Sequence, residues 1–119
     1  YNQDLDIINN NDTKFKKWLD RYKYHERYTD QPKIYYRDEC CKILDIYENK
    51  LIDYQYILKN SIGLVDIAVF PFIRQFANVD HDWFNDYYNK LPSWLEKISS
   101  SELFTQVMEK NELWIEKEI

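Results

Sequence analysis

Residues 62–76 read Ile62-Gly63-Leu64-Val65-Asp66-Ile67-Ala68-Val69-Phe70-Pro71-Phe72-Ile73-Arg74-Gln75-Phe76 and hold the longest apolar run of the chain. Leu64, Val65, Ile67, Ala68, Val69, Phe70, Phe72, Ile73 and Phe76 would place apolar side chains on nearly every side of a helix. A helix apolar all round is buried all round. A short apolar strand is the competing reading; the length of the run and the cap signal ahead of it favour the helix. Asp66 stands three residues after Gly63, the spacing at which a carboxylate accepts the N-cap backbone N–H in a capping box. Gly63 has no side chain to return the bond, so only half of the reciprocal pair is available. Ile62 and Ile67 are spaced as a hydrophobic staple across the same turn. Pro71 removes one backbone donor and crowds the carbonyl of Ile67, which predicts a kink. The stretch is therefore expected to be the central helix, with Gly63 and Asp66 as its structural N-cap. Arg74, at its polar end, is expected to pair with Asp66 or Asp80.

Working outward, apolar spacing predicts five to six helices. Residues 3–8 resemble a helix end, and Asn9-Asn10-Asn11-Asp12 reads as a loop closing on Asp12 as an N-cap. Phe15, Trp18, Leu19 and Tyr22 follow at i, i+3, i+4, i+7. Pro32 sits where a helix start tolerates it, and Tyr36, Cys40, Leu44, Tyr47 and Leu51 step along one face of a helix over 33–54. Residues 54–58 are too short and aromatic to assign, and Lys59-Asn60-Ser61 reads as a turn. Residues 79–90 read as a loop. Leu91, Trp94, Leu95 and Ile98 form another helix with Pro92 in its first turn. A last helix is expected to carry Leu103, Phe104, Val107 and Met108, with Trp114 closing over a polar tail.

Composition agrees with an all-α bundle. The chain has 119 residues, 45% of them hydrophobic, with one glycine and three prolines. One domain over 1–119 fits that length, and a single glycine cannot punctuate seven or eight tightly turned strands. Collagen-like, linker-like and disordered classes are excluded by the same composition. The net charge of −5 is uneven. Residues 1–50 carry ten acids and ten bases, residues 51–119 eleven acids and six bases. That balance argues against nucleic acid as a partner. Between Thr13 and Arg27, however, six bases face only Asp20 and Glu26. This is either a solvated helix face with pairs such as Lys16–Asp20 or an attractor of anions.

No apolar stretch approaches the roughly 20 residues of a membrane span, and no charged-then-apolar leader opens the chain. It reads as a soluble, cytoplasmic protein with no membrane partner. Tyr1 stands where an initiator Met would, so the chain reads as a fragment or processed form. Cys40 and Cys41 are adjacent, which strains any disulfide between them, and they read as reduced thiols on a helix. No metal site is expected: His25 and His81 lie far from both thiols, and Asp80-His81-Asp82 would point in three directions.

The half capping box followed by Ile67-Ala68-Val69-Phe70-Pro71-Phe72-Ile73-Arg74-Gln75-Phe76 resembles the C-terminal domain of the glutathione S-transferase superfamily. In that domain the buried helix opens with a Ser/Thr-x-x-Asp box central to folding; here Gly63 stands in place of the Ser or Thr. Phe15 with Leu19-Asp20-Arg21-Tyr22-Lys23-Tyr24 looks like the domain's second helix in a bacterial branch. Ala77-Asn78-Val79-Asp80, Trp83-Phe84, Trp94-Leu95, Ser101-Glu102-Leu103-Phe104 and Val107-Met108-Glu109-Lys110 look like the helices that remain. The likeness covers about 10–114.

The resemblance implies a helical half that shapes an electrophile pocket and a dimer interface. It places glutathione, the co-substrate, in a preceding thioredoxin-like domain. Nothing in this sequence supplies that domain's βαβ pattern, its cis-proline loop or a nucleophile, so no catalytic residue is expected here and the isolated chain should be inactive. By the same resemblance Arg21, Tyr22 and Tyr24 are the substrate-pocket candidates. Tyr22 also falls on the core stripe, and Arg21 and Tyr24 equally suit solvent or a dimer partner. Two other readings stand beside this one: a non-catalytic glutathione S-transferase-like interaction module, and a free-standing helical bundle unrelated to glutathione.

Overall fold

A computed structural model describes residues 2–101 of the chain. Its elements are α1 (Asn2–Asn10), a π-helical turn (Asn11–Phe15), α2 (Lys16–Lys23), a 3-10 turn (His25–Arg27), α3 (Lys33–Asp53), α4 (Leu64–Val79), α5 (His81–Tyr87) and α6 (Leu91–Ser99). There is no strand among the described residues. Because α1, the π turn and α2 are continuous, these make five helical rods. The expected last helix carrying Leu103, Phe104, Val107 and Met108, and the closure by Trp114, lie outside the described residues.

The polar run Asn9-Asn10-Asn11-Asp12 is not a loop, and Asp12 is not an N-cap. The helix widens there: the Lys16 N–H donates to Asn11 O, five residues back, and Thr13 Oγ1 donates to Asn9 O at 2.8 Å. Asn and Asp favour non-helical backbone locally, but Ile7 and Ile8 ahead of the run and Phe15 behind it share one core. The π turn rephases the helix so that both flanks face that core. It also buries Asn11 completely, leaving its Oδ1 and Nδ2 without hydrogen-bond partners among the described residues. α2, Lys16–Lys23, thus continues the rod that α1 begins.

In α3 the five expected positions, Tyr36, Cys40, Leu44, Tyr47 and Leu51, are all buried. α4 is the central helix. It runs unbroken through Pro71 and buries Val65, Val69, Phe70, Phe72, Ile73, Phe76 and Ala77. Phe76 sits at the middle of an aromatic cluster, with ring centroids of Phe15, Tyr22, Trp83 and Phe84 at 6.2, 5.1, 6.1 and 6.0 Å. The segment expected to be a loop contains α5. Asp80 caps it by accepting the Trp83 N–H at 3.2 Å, and Trp83 and Tyr87 stack one turn apart at 4.8 Å.

The N-terminus of α4 is the structural hub. Gly63 is extended, with φ −131° and ψ −178°, and its N–H donates to Asp66 Oδ2 at 2.9 Å. Asp66, 2% exposed, accepts two more bonds on Oδ1: from the Ile57 N–H at 3.0 Å and from Trp94 Nε1 at 2.9 Å. One carboxylate thereby joins the 54–63 connection, α4 and α6. It does not pair with Arg74, which forms no ion pair with Asp66 or Asp80. Asp66 needs no cation, because three N–H donors already satisfy it.

Serine at position 63 should complete the box. An added Cβ would meet Lys59 Cε at 3.3 Å, the far end of a flexible side chain, and extended backbone admits any residue. Gly63→Ser is expected to stabilise the fold by about 0.5–1 kcal/mol, through the new cap bond and a less flexible unfolded chain. A urea midpoint below that of the parent would show that Lys59 cannot give way. Gly63→Ala separates the two contributions, since it supplies the stiffer chain without the cap.

A second carboxylate fixes α6. Glu48 of α3 accepts backbone N–H groups from Asn89 at 3.0 Å, Lys90 at 2.9 Å and Leu91 at 2.9 Å. These are among the donors a helix start leaves unmatched, and Glu48 meets them from across the bundle.

Candidate functional site

The C-terminal end of α2, the start of α3 and the C-terminal end of α4 meet at one end of the bundle. A cleft of about 340 Å³ opens between them, lined by Lys23, His25, Lys33, Gln75, Asn78 and Val79. Local sequence explains each wall. The 3-10 turn after α2 projects His25, and Pro32 starts α3 so that Lys33 is its first residue. Gln75 and Asn78 are three apart on α4, where the all-apolar pattern gives way to amides. Lys23 Nζ donates to Gln75 Oε1 at 3.3 Å across the cleft. Lys33 Nζ lies 5.6 Å from the centre of the Tyr22 ring.

The three pocket candidates do not converge on this cleft. Successive helical residues point about 100° apart, and the side chains follow. Tyr22 is 2% exposed and packs on Phe76. Arg21 lies over the rings of Tyr28 at 4.7 Å and Trp18 at 5.9 Å. Tyr24 is 39% exposed and flanked by Lys23 and Arg27 at 5.3 and 5.1 Å. None of the three lines the cleft: Tyr22 lies beneath its Lys33, Tyr24 is the sequence neighbour of two lining residues, and Arg21 lies over Tyr28 and Trp18.

Lys33, His25, Gln75 and Asn78 were not singled out by sequence reasoning. The i,i+3 amides closing an otherwise apolar helix were the available signal. Arg37 was missed as well: its guanidinium stacks over Trp83 at 4.1 Å. The expected Lys16–Asp20 pair is not formed; Lys16 Nζ sits 5.9 Å from the Phe72 ring centre. Lys17 and Arg21 likewise lie over rings and form no ion pair among the described residues. The basic helix is thus laced by cation–π contacts.

Behind the cleft, buried titratable groups are held neutral. Burial pushes the Tyr22 hydroxyl up to about 12, with Arg37 opposing and Asp80 adding to the rise. Burial also raises Tyr47 to about 12 and Cys41 to about 11, the latter partly offset by a hydrogen bond with Tyr88. Cys40 and Tyr88 are raised further, again mainly by burial. Tyr88 donates its hydroxyl to Asp45 Oδ1 at 2.9 Å. Such thiols are inert as nucleophiles, and both cysteines are free.

The sign of the pH dependence follows. Each of these groups keeps its proton in the folded state at pH values where the unfolded chain has lost it. Their stabilisation is complete below the ordinary thiol pKa of about 8.5 and is lost as pH rises, most steeply above about 10. The urea midpoint should fall between pH 8 and pH 11. A flat midpoint over that window would contradict the burial of these hydroxyls and thiols.

Among the described residues no group of three His, Cys, Asp or Glu side chains is placed to hold a metal ion, and no helix is long and apolar enough to cross a membrane.

Comparison with known proteins agrees with this architecture. A family model, Glutathione S-transferase, C-terminal domain, matches residues 23–102, about two thirds of the chain. Glutathione S-transferase F4 of Arabidopsis thaliana is 26% identical over 76 residues, covering 64% of this chain and 31% of the relative. The chain thus spans under a third of that relative's length. No solved structure matches the chain significantly. All-helical architecture, a buried central helix opened by a capping carboxylate and the matched residues lead to one assignment: the chain belongs to the glutathione S-transferase C-terminal domain family.

Proposed function

We propose that this chain is the substrate-side and dimerisation domain of a glutathione S-transferase-like protein whose full-length form conjugates glutathione to an electrophile. The observation that carries the reading is the cleft whose Lys33 rests on the Tyr22 ring, in a domain of this family. Glutathione, the co-substrate, and the group that activates its thiol belong to a thioredoxin-like domain N-terminal to this chain. The contribution of this half is to hold the electrophile where the thiolate can reach it, and fixing two reactants supplies a large share of such rate gains. Tyr22 and Tyr24, with Arg21 on the neighbouring face, form the electrophile side. In full length the protein is a homodimer in the reducing cytoplasm, a setting that suits two free buried thiols.

The test uses two samples. The full-length protein should conjugate glutathione to chlorodinitrobenzene or to its acidic analogue chloronitrobenzoate, and Tyr24→Ala should raise KM for the electrophile without changing the KM for glutathione. The isolated chain should pass through glutathione-agarose. Its retention, with elution by free glutathione, would place the peptide site in this half and overturn the assignment. A full-length protein without conjugating activity would favour the second reading, a non-catalytic interaction module. The observation behind that alternative is the basic face of α2, where Lys17 and Arg21 lie over rings and form no ion pair among the described residues.

A further inference from the structure

The six residues lining the α2–α3–α4 cleft comprise three nitrogen bases (Lys23, His25 and Lys33), two amides (Gln75 and Asn78) and one apolar side chain, Val79. No carboxylate is among them, in a chain whose acids outnumber its bases by 21 to 16. A concave wall of one sign focuses the field it creates and concentrates ions of the opposite sign. Lys33 forms no ion pair among the described residues; the Tyr22 ring beneath it is its cation–π partner. His25 Nδ1 is buried with no hydrogen-bond partner among the described residues. A buried unmatched ring nitrogen is costly, and His25 lines the cleft. Asp80, the carboxylate felt by Tyr22, is already engaged by the Trp83 N–H as the cap of α5.

Size narrows the ligand. About 340 Å³ lies at the lower end of the roughly 300–1,000 Å³ spanned by small-molecule sites. That volume suits a compact molecule with one charged head. We infer that the cleft recognises a small organic carboxylate: Lys33, with His25 and the amides of Gln75 and Asn78, holds the oxyanion, and Val79 meets the apolar body. The inference rests on reading this cleft as the electrophile side of the site, and it narrows the substrate class to acidic electrophiles.

An oxyanion can also be a free phosphate, so the probes separate the two. The 119-residue chain is titrated with phenylpropionate, with phenylpropanol and with inorganic phosphate, following the amide resonances of His25, Asn78 and Val79. Phenylpropionate should bind at least about tenfold more tightly than the alcohol, because charge-assisted hydrogen bonds reach only the acid, and more tightly than phosphate, which lacks the apolar body. Lys33→Gln, at an exposed helix start, should weaken phenylpropionate by about tenfold and leave the urea midpoint unchanged. Equal binding of acid and alcohol, or an unaltered affinity in Lys33→Gln, overturns the inference. So does phosphate binding as tightly as phenylpropionate. A chain that selects the acid within a full-length protein that conjugates nothing keeps this inference and removes the transferase reading. A conjugating protein that treats acidic and neutral electrophiles alike does the reverse.

Discussion

Asp66→Ala is expected to destabilise the domain by about 3–5 kcal/mol, the range reached when a buried hydrogen-bond network is broken. Three donors lose their acceptor at once: the backbone N–H of Ile57, the backbone N–H of Gly63 and the indole N–H of Trp94. Their unmatched costs do not add fully, because the 54–63 connection can loosen and let water in. For a chain of this size the melting temperature should fall by on the order of 10–20 °C. Asp66→Asn discriminates between charge and connectivity. Its amide oxygen can still accept from Ile57 and Trp94, but its NH₂ then confronts the Gly63 donor, so its loss should be clearly smaller than that of alanine. Near-ultraviolet circular dichroism reports the Trp94 contact directly. If alanine cost under 1 kcal/mol, the carboxylate would be a local cap and not a hub.

That hub was half legible in the sequence. The Gly63–Asp66 spacing announced the bond within the turn, because capping geometry is local. The bonds to Ile57 and Trp94 cross nine and 28 residues, and no spacing rule reaches that far. The same division runs through the fold. The helical faces of α3, α4 and α6 followed from periodicity, whereas Asn9-Asn10-Asn11-Asp12 misled, because local preference was overruled by packing on both sides. α5 was too short and polar to show a period, although Trp83–Tyr87 and Phe84–Tyr88, each one turn apart, carried the signal. The cleft was the least legible feature. Its walls come from residues 23–33 and 75–79, and only the folded chain brings them together.

The locally basic helix also changes meaning in three dimensions. Intrahelical ion pairs would have spent its cations on Asp20 and Glu26. Instead Lys16, Lys17, Arg21 and Arg27 rest on ring faces. A ring attracts a cation without cancelling its charge, so the helix keeps its positive field while its long side chains stay ordered. Lys33, at the start of α3, likewise rests on a ring, that of Tyr22, and forms no ion pair among the described residues.

Phe76→Ala should cost about 3–5 kcal/mol, the usual range for truncating a buried aromatic ring. Phe76 is 1% exposed, and its four ring neighbours come from three parts of the bundle: Phe15 from the π turn, Tyr22 from α2, and Trp83 and Phe84 from α5. The cavity left by alanine cannot be filled by any one of them without losing its own contacts. Phe76→Leu keeps most of the volume and forfeits the ring pairs, each worth about 0.5–1.5 kcal/mol, so its midpoint in urea should fall between those of the parent and the alanine variant. The two substitutions also separate stability from recognition. Tyr22 rests on Phe76 and lies beneath Lys33, so loosening it should weaken phenylpropionate binding in Phe76→Ala under conditions where that variant is still folded. In Phe76→Leu, where Tyr22 keeps an apolar support, binding should be retained. Equal midpoints for leucine and alanine would show that the rings act together through geometry that no aliphatic chain can replace. A midpoint for alanine within about 1 kcal/mol of the parent would mean that the aromatic cluster is not the centre of the core.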